Sequence, residues 1–321
     1  MSDGTGAGAT KEPTATIVVN LQNAGGFADQ LQQRFGESEV VVSAGDERAA
    51  DAEIMIAFGR DRESLERGMT PALRWVHAFS TGVDGFPFDV VGDRIFTCSR
   101  GAGAVPISEW VMAMILGHAK RLPDSWITEP PEHWNIAQLD VVAGRTVGLV
   151  GLGEIATAVA KRALAFDMDV IAYRRRSLPA DLPEIEVLIS LPELLGRSDH
   201  IVIAAPSTPE TFHLIDAAAL AACKPGAHLV NIARGALVDQ DALIDALDRG
   251  QLSCASLDTV TPEPLPEGHP LYSHPQVRLS AHISWADPTS IDRTLDMFAA
   301  NVRRYRAGEP LDGVVDTVAG Y

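Results

Sequence analysis

Lysine is scarce in this chain: Lys11, Lys120, Lys161 and Lys224 are the only four among 26 basic residues, so arginine carries most of the positive charge. Positive charge is itself outnumbered, because 43 acidic residues leave a net charge of −17. An excess of that size disfavours general electrostatic binding to nucleic acid or to an anionic membrane. The same acidity fits a salt-adapted protein and a GC-rich genome equally well. Cysteine is scarce too, and Cys98, Cys223 and Cys254 are widely spaced in or beside apolar runs. They offer neither an even-numbered disulfide framework nor the close spacing of a metal site, which points to a reducing cytoplasm and to no bound metal. No apolar run reaches the length that spans a bilayer, and no signal peptide opens the chain. These absences leave a chain of 321 residues, 46% hydrophobic, long enough for two core-bearing domains.

Residues 1–14 are rich in small polar groups and cannot bury enough surface to offset the entropy of ordering, so a disordered tail is expected there. Apolar runs follow at 17–19, 40–42, 54–58, 75–79 and 95–98, alternating with helix-permissive stretches such as 27–35 and 62–68. That rhythm predicts an α/β layer with a parallel sheet. Pro106 then opens a run over 107–122 that is apolar nearly all round, through Trp110, Val111, Met112, Met114, Ile115 and Leu116. Proline suits a helix start, and such a helix suits a domain junction where it is buried on several sides. A loop over 123–140, holding Trp134, follows. Later strands are expected at 201–205, 229–232, 255–257 and 277–279, with helices at 216–223 and 239–248 and a last helix over 288–305 returning to the first domain.

The stretch 145–174 organises the rest. An apolar run at 147–150 leads into Gly151, Gly153 and Ala156 in the spacing G-x-G-x-x-A, then an alanine-rich helical segment, then a second apolar run at 170–173. Strand, glycine turn, helix and strand within about thirty residues is the context that gives such a motif meaning. Gly151 permits the tight turn, Gly153 lets backbone approach a pyrophosphate, and Ala156 allows close helix–strand packing. The helix start supplies N–H groups and dipole to the phosphates. A dinucleotide-binding Rossmann domain is therefore expected at 105–288, with a discontinuous substrate-binding domain at 15–104 and 289–321. The predicted fold class is α/β, two doubly wound parallel-sheet domains.

Ligands of open α/β sheets gather beyond the carboxyl ends of the strands. Those ends carry Arg234, Asp258 and His282, and Glu263 lies in the loop after Asp258. The set suits hydride transfer to a 2-oxo acid. His282 can give a proton to the new alkoxide. Glu263 can fix the imidazole tautomer and stabilise the imidazolium. Arg234 offers a planar fork to carboxylate and carbonyl oxygens.

The strings Gly148-Leu-Val-Gly-Leu-Gly-Glu-Ile-Ala156, Pro206-Ser-Thr-Pro-Glu-Thr211, Val230-Asn-Ile-Ala-Arg-Gly235, Leu257-Asp-Thr-Val-Thr-Pro-Glu-Pro-Leu265 and Ser280-Ala-His-Ile283 together resemble the D-isomer-specific 2-hydroxyacid dehydrogenase family, which includes glyoxylate/hydroxypyruvate reductases and phosphoglycerate dehydrogenases. The resemblance covers nearly the whole chain beyond the tail. It implies that Arg234 binds substrate, Glu263 orients and His282 is the acid/base. It implies that Gly151, Gly153, Glu154, Ile155, Pro206, Thr211, Ile232, Ala233, Asp258 and His282 line the cofactor, with Asp258 on the nicotinamide carboxamide. It also implies that Ser80-Thr-Gly-Val-Asp84 is the substrate loop, with backbone amides near Thr81 and Gly82 on the carboxylate. A homodimer built through the dinucleotide domain is implied as well, with Trp134 a candidate to reach the partner. The chain departs from the family's pattern at Ala281, where proline often precedes the histidine, and at Thr259, where valine usually follows the aspartate.

The largest departure concerns the cofactor. An acid at the end of the second strand would bind the adenosine ribose. Arg174 stands there instead, followed by Arg175, Arg176 and Ser177. Asp169 is at the strand's other end, about 16 Å away. Three arginines and a serine suit a 2′-phosphate, so NADP is expected, with NAD the weaker alternative. The chain is thus expected to be an NADPH-preferring reductase of small 2-oxo acids. A non-enzymatic, dinucleotide-sensing corepressor of the same fold is the alternative, and the short polar tail with no long flanking segment counts against it. The family's formate dehydrogenases replace the orienting glutamate by glutamine, whereas Glu263 is present here.

Overall fold

The computed structural model describes residues 16–22, 24–59, 61–174 and 182–321. The expected disordered tail lies outside the described residues, as do Arg175, Arg176 and Ser177. The chain divides into two compact units, one running to Arg100 and resuming at Ile291–Tyr321, the other Gly101–Ser290.

The first unit holds β1 (Ile17–Asn20), α1 (Ala24–Phe35), β2 (Val41–Ser43), β3 (Ile54–Ala57), α2 (Arg62–Gly68), β4 (Trp75–Ala78), α3 (Phe88–Val91) and β5 (Ile95–Cys98). Among the described residues its five strands are all parallel, in the order β2-β1-β3-β4-β5. The central strands β3 and β4 are buried at every residue. Unbroken apolar runs are what a parallel sheet covered on both faces requires. The chain's last helix, Ser290–Ala307, sends Leu295, Phe298, Ala299 and Val302 onto Ile17, Val19, Ile54, Ile56 and Trp75. Its far end is tied down by Arg306, which binds Glu39 at 2.7 Å and Glu53 at 2.5 Å and holds both carboxyls below their ordinary range against the cost of their burial. Within β4, His77 is fully buried between the hydroxyls of Thr97 and Ser99, and burial pushes its imidazole down to about 3.

The second unit holds α4 (Ala104–Ala119), β6 (Thr146–Val150), α5 (Glu154–Ala165), β7 (Asp169–Tyr173), β8 (Glu186–Leu188), α6 (Leu191–Arg197), β9 (His200–Ile203), α7 (Ala217–Ala221), β10 (Ala227–Asn231), α8 (Gln240–Asp248), β11 (Leu252–Leu257) and β12 (Val277–Leu279). Among the described residues its seven strands are parallel, in the order β12-β11-β10-β9-β6-β7-β8. Alternate residues serve two cores: Val147, Leu149, Val202 and Val230 join the α4–α5 side, while Val150, Ile201, Ile203 and Leu229 join the opposite side. This is the doubly wound arrangement, and its strand order reverses between β6 and β9, where such sheets bind ligands.

Helix α4 begins two residues before Pro106, which is therefore the third helical residue and not the first. A first-turn N–H has no intrahelical partner, so proline there forfeits no bond. Trp110, Met114 and Leu116 are half-buried, so burial is less complete than the all-round apolar pattern predicts. Toward the amino ends of β9 and β10, His200 and His228 share a hydrogen bond between Nδ1 atoms at 3.3 Å, and His118 of α4 lies against His228 with ring centroids 4.6 Å apart. Burial holds all three imidazoles below their ordinary range, His200 at about 4.

Candidate active site

The glycine turn lies beyond β6. Gly151 has φ 99°, in the left-handed region, and a Cβ there would stand 2.8 Å from the Ala204 carbonyl oxygen and the Ala205 nitrogen. Only glycine lets this turn rest on the backbone leaving β9. Gly153 caps α5 with no side-chain hydrogen bond, and nothing lies within 4 Å of the place a Cβ would occupy. Glu154 is exposed and Ile155 half-buried, while Ala156 is packed into the core. A twelve-residue helix thus presents its positive end to open space over a bare glycine, which fits a pyrophosphate. Val150 pairs with Tyr173, so Arg174, one residue on, is level with Gly151 at the tip of the neighbouring strand.

Beyond β9, the loop over 206–211 closes on itself. The buried Thr211 hydroxyl donates to the Pro206 carbonyl at 2.8 Å and accepts from the Thr208 N–H at 2.8 Å. Beyond β10, Ile232 and Ala233 are buried, and the buried Asn231 holds the next turn, accepting from the Ala233 N–H at 3.1 Å and donating to the Arg234 carbonyl at 3.0 Å. Gly235 follows. A Cβ on it would fall 2.0 Å from the Val260 carbonyl carbon, so the Arg234 turn rests directly on the loop that carries Glu263.

Glu263 faces two ways. Oε1 accepts the Val260 N–H at 3.2 Å, and Oε2 meets His282 Nδ1 at 2.9 Å. The geometry leaves His282 Nε2 for another partner. Asp258, at the end of β11, is almost fully buried. Its carboxylate accepts the N–H groups of Ile283 at 2.8 Å and Ser284 at 3.0 Å and the Ser280 hydroxyl at 2.5 Å, while its carbonyl accepts the His282 N–H at 2.9 Å. Asp258 is therefore committed first to shaping the histidine turn. In the first unit, Thr81 and Gly82 follow β4 in a half-buried loop; Thr81 Oγ1 donates to the Ser99 carbonyl at 2.9 Å and Ser80 Oγ to the Gly82 carbonyl at 2.7 Å.

Strand ends thus bring Arg234, Asp258, Glu263 and His282 to the edge of the second sheet that also carries the glycine turn. Sequence reading did not single out Asn231, Gly235 and Trp285. The first two fall inside a string that drew notice for its arginine, and Trp285 lies just past the histidine string. Trp285 donates its indole N–H to the His282 carbonyl at 2.9 Å. Among the described residues no cluster of metal-ligating side chains occurs and no helix is long and apolar enough to cross a membrane.

Comparison with known proteins matches residues 112–284 to the family described as D-isomer specific 2-hydroxyacid dehydrogenase, NAD binding domain. Glyoxylate/hydroxypyruvate reductase A of Serratia proteamaculans is 29% identical over 315 residues, covering 93% of this chain and 97% of that one. D-3-phosphoglycerate dehydrogenase of Mycobacterium bovis is 34% identical over 255 residues, which are 78% of this chain and 48% of that protein, so the match spans about half its length. Among solved structures, a D-isomer specific 2-hydroxyacid dehydrogenase from Xanthobacter autotrophicus Py2, in complex with NADPH and MES, superposes with a TM-score of 0.84 at 27% identity, covering 96% of this chain and 100% of that one.

Proposed function

The chain belongs to the D-isomer specific 2-hydroxyacid dehydrogenase family, and from that premise we propose that it reduces small 2-oxo acids of the glyoxylate and hydroxypyruvate kind to D-2-hydroxy acids, preferring NADPH to NADH. The observation that carries this reading is the 2.9 Å contact between His282 Nδ1 and Glu263. Glu263 fixes the tautomer, balances the charge of the protonated ring and leaves Nε2 to give its proton to the carbonyl oxygen as that oxygen becomes an alkoxide. Arg234 holds the substrate through paired donors, in a turn that Asn231 and Gly235 place against the Glu263 loop. Thr81 and Gly82 take the carboxylate on backbone amides. When bound, the nicotinamide supplies the hydride. Gly151, Gly153, Glu154 and Ile155 hold the phosphates at the start of α5, and Pro206, Thr211, Ile232 and Ala233 shape the wall beside them. Asp258 keeps a lone pair on Oδ2 for an amide donor such as the carboxamide.

NADP preference rests on Arg174, level with the glycine turn where an acid would repel a 2′-phosphate, and on Arg175, Arg176 and Ser177 after it. The Xanthobacter relative, solved with NADPH, is in keeping with it. A homodimer is proposed from the apolar surface of the segment after α4, where Trp126 is 71% exposed, Trp134 69% and Ile136 76%. So much exposed apolar side chain in one segment marks an interaction surface. The test of function is a panel of 2-oxo acids assayed with each cofactor. Turnover of glyoxylate or hydroxypyruvate with NADPH is expected, and a panel with no turnover overturns the proposal.

A further inference from the structure

We propose that Trp285 is a positioning residue for His282, acting through the one peptide unit that joins His282 to Ile283. The inference rests on the reading of His282 as proton donor. His282 has φ 55°, in the left-handed region that a residue with a Cβ avoids. Such a conformation persists only where the surroundings over-determine it. Here they hold a single peptide plane at both ends. Its N–H, from Ile283, donates to Asp258 Oδ1 at 2.8 Å, and its carbonyl, from His282, accepts the Trp285 indole N–H at 2.9 Å. The N–H of His282 itself is fixed on the Asp258 carbonyl at 2.9 Å. With both faces of the residue tied, the Cα–Cβ bond has one direction, and it aims Nδ1 at Glu263. Release of the carbonyl end frees the plane and lets φ of His282 leave the left-handed region, and Cβ and the imidazole swing with it away from the acid.

Trp285 is itself anchored for this task. Its carbonyl accepts the Ser290 hydroxyl at 2.8 Å, and Ser290 is bonded in turn to Asp287. A side chain at Gly103 would begin 3.6 Å from the Trp285 Cβ and 3.0 Å from the Ile107 Cδ1, so the start of α4 lies close against the tryptophan. Half of the residue, 49%, is exposed. Burial therefore does not account for a tryptophan at this place, whereas the indole N–H does. Ala281, just before the histidine, adds no ring restraint of its own, which leaves the orientation of the turn to Asp258 and Trp285.

The decisive comparison is Trp285→Phe, which keeps an aromatic ring and removes the N–H, with Trp285→Ala beside it. Misplacement of a reacting group by about 1 Å costs on the order of 10²-fold, so Trp285→Phe is expected to lower kcat on glyoxylate by about that factor. KM for the oxo acid, NADPH binding by fluorescence and Tm are expected to stay at parental values, a split that a merely structural role does not produce. A crystal structure of the ligand-free Trp285→Phe protein is expected to show the 282–283 peptide rotated and the His282–Glu263 contact broken. Parental kcat with the contact intact overturns the proposal. So does a loss confined to Trp285→Ala and expressed in KM, which assigns the ring to the substrate instead. The crystallographic arm is independent of activity: a parent inactive on every 2-oxo acid sinks the functional reading, while the geometry of the variant still decides the role of Trp285.

Discussion

Removal of the imidazole at position 282 takes away the only proton donor the account assigns, while the cofactor cradle around Gly151 is left whole. His282→Ala is expected to lower kcat about 10²–10⁴-fold, the usual worth of a positioned acid. Arg234→Ala is expected to fall comparably, since the guanidinium is proposed to hold both substrate oxygens, and NADPH binding measured by fluorescence should survive in both variants. Near-parental turnover in either would show that the roles are misassigned. Arg174 tests the other end of the cofactor. A hydrogen bond to a charged group contributes about 1.5–3 kcal/mol, so Arg174 with one further cation, each near the lower figure, amounts to about 3 kcal/mol, on the order of 10²-fold in favour of NADPH. Salt screens the attraction between cation and phosphate, so the preference should shrink at high salt. Arg174→Asp should reverse or erase it in the ratio of kcat/KM for the two cofactors. A ratio that does not move means that Arg174 takes no part in choosing the cofactor.

Buried histidines make whole elements sensitive to acid. His77 of β4 is held neutral down to about 3, His200 of β9 to about 4, and His228 of β10 well below its ordinary range. Each folded pKa is depressed, so the unfolded chain takes up the proton first. The stability is fully present above about 6.5 and is lost as pH falls from there toward the folded values. Over the 1.5 units from 6.5 to 5 His77 and His200 each forfeit about 2 kcal/mol, a large share of a domain's total of about 5–15 kcal/mol. Tm is expected to drop steeply between pH 7 and 5, and His200→Gln to flatten that slope. A Tm that stays level over this range would contradict the burial argument. The same strands show how much sequence makes legible. The unit β6–α5–β7 could be placed to within a residue or two, because a glycine-bounded apolar run, a G-x-G-x-x-A turn and a second run leave one arrangement. Strand β8 and helix α6 escaped notice: β8 has three residues with an exposed glutamate at its start, too short for periodicity to register. Of the site, the positions of Arg234, Asp258 and His282 at strand ends were legible as motifs after apolar runs. The left-handed turn at His282, and the engagement of Asp258 by the backbone of that turn, are contacts between β11 and the segment after β12, and no spacing in the sequence encodes them.

At the scale of the molecule, the net charge of −17 and the exposed apolar segment after α4 pull in opposite directions. Like charge keeps copies of the chain apart, while Trp126, Trp134 and Ile136 expose apolar surface that the proposed dimer would cover. Light scattering should find a homodimer, and Trp134→Ala should alter the preference among 2-oxo acids if this side chain reaches the partner's site. A fully active monomer would dispose of the dimer. The central claim, that the chain delivers a hydride and a proton to a 2-oxo acid with D-stereochemistry, is tested most directly by the chirality of its product. Hydroxypyruvate incubated with NADPH and the parent protein should yield D-glycerate, in amount equal to the NADPH consumed and abolished in His282→Ala. L-glycerate, a racemic product, or no NADPH consumption at all would contradict the account.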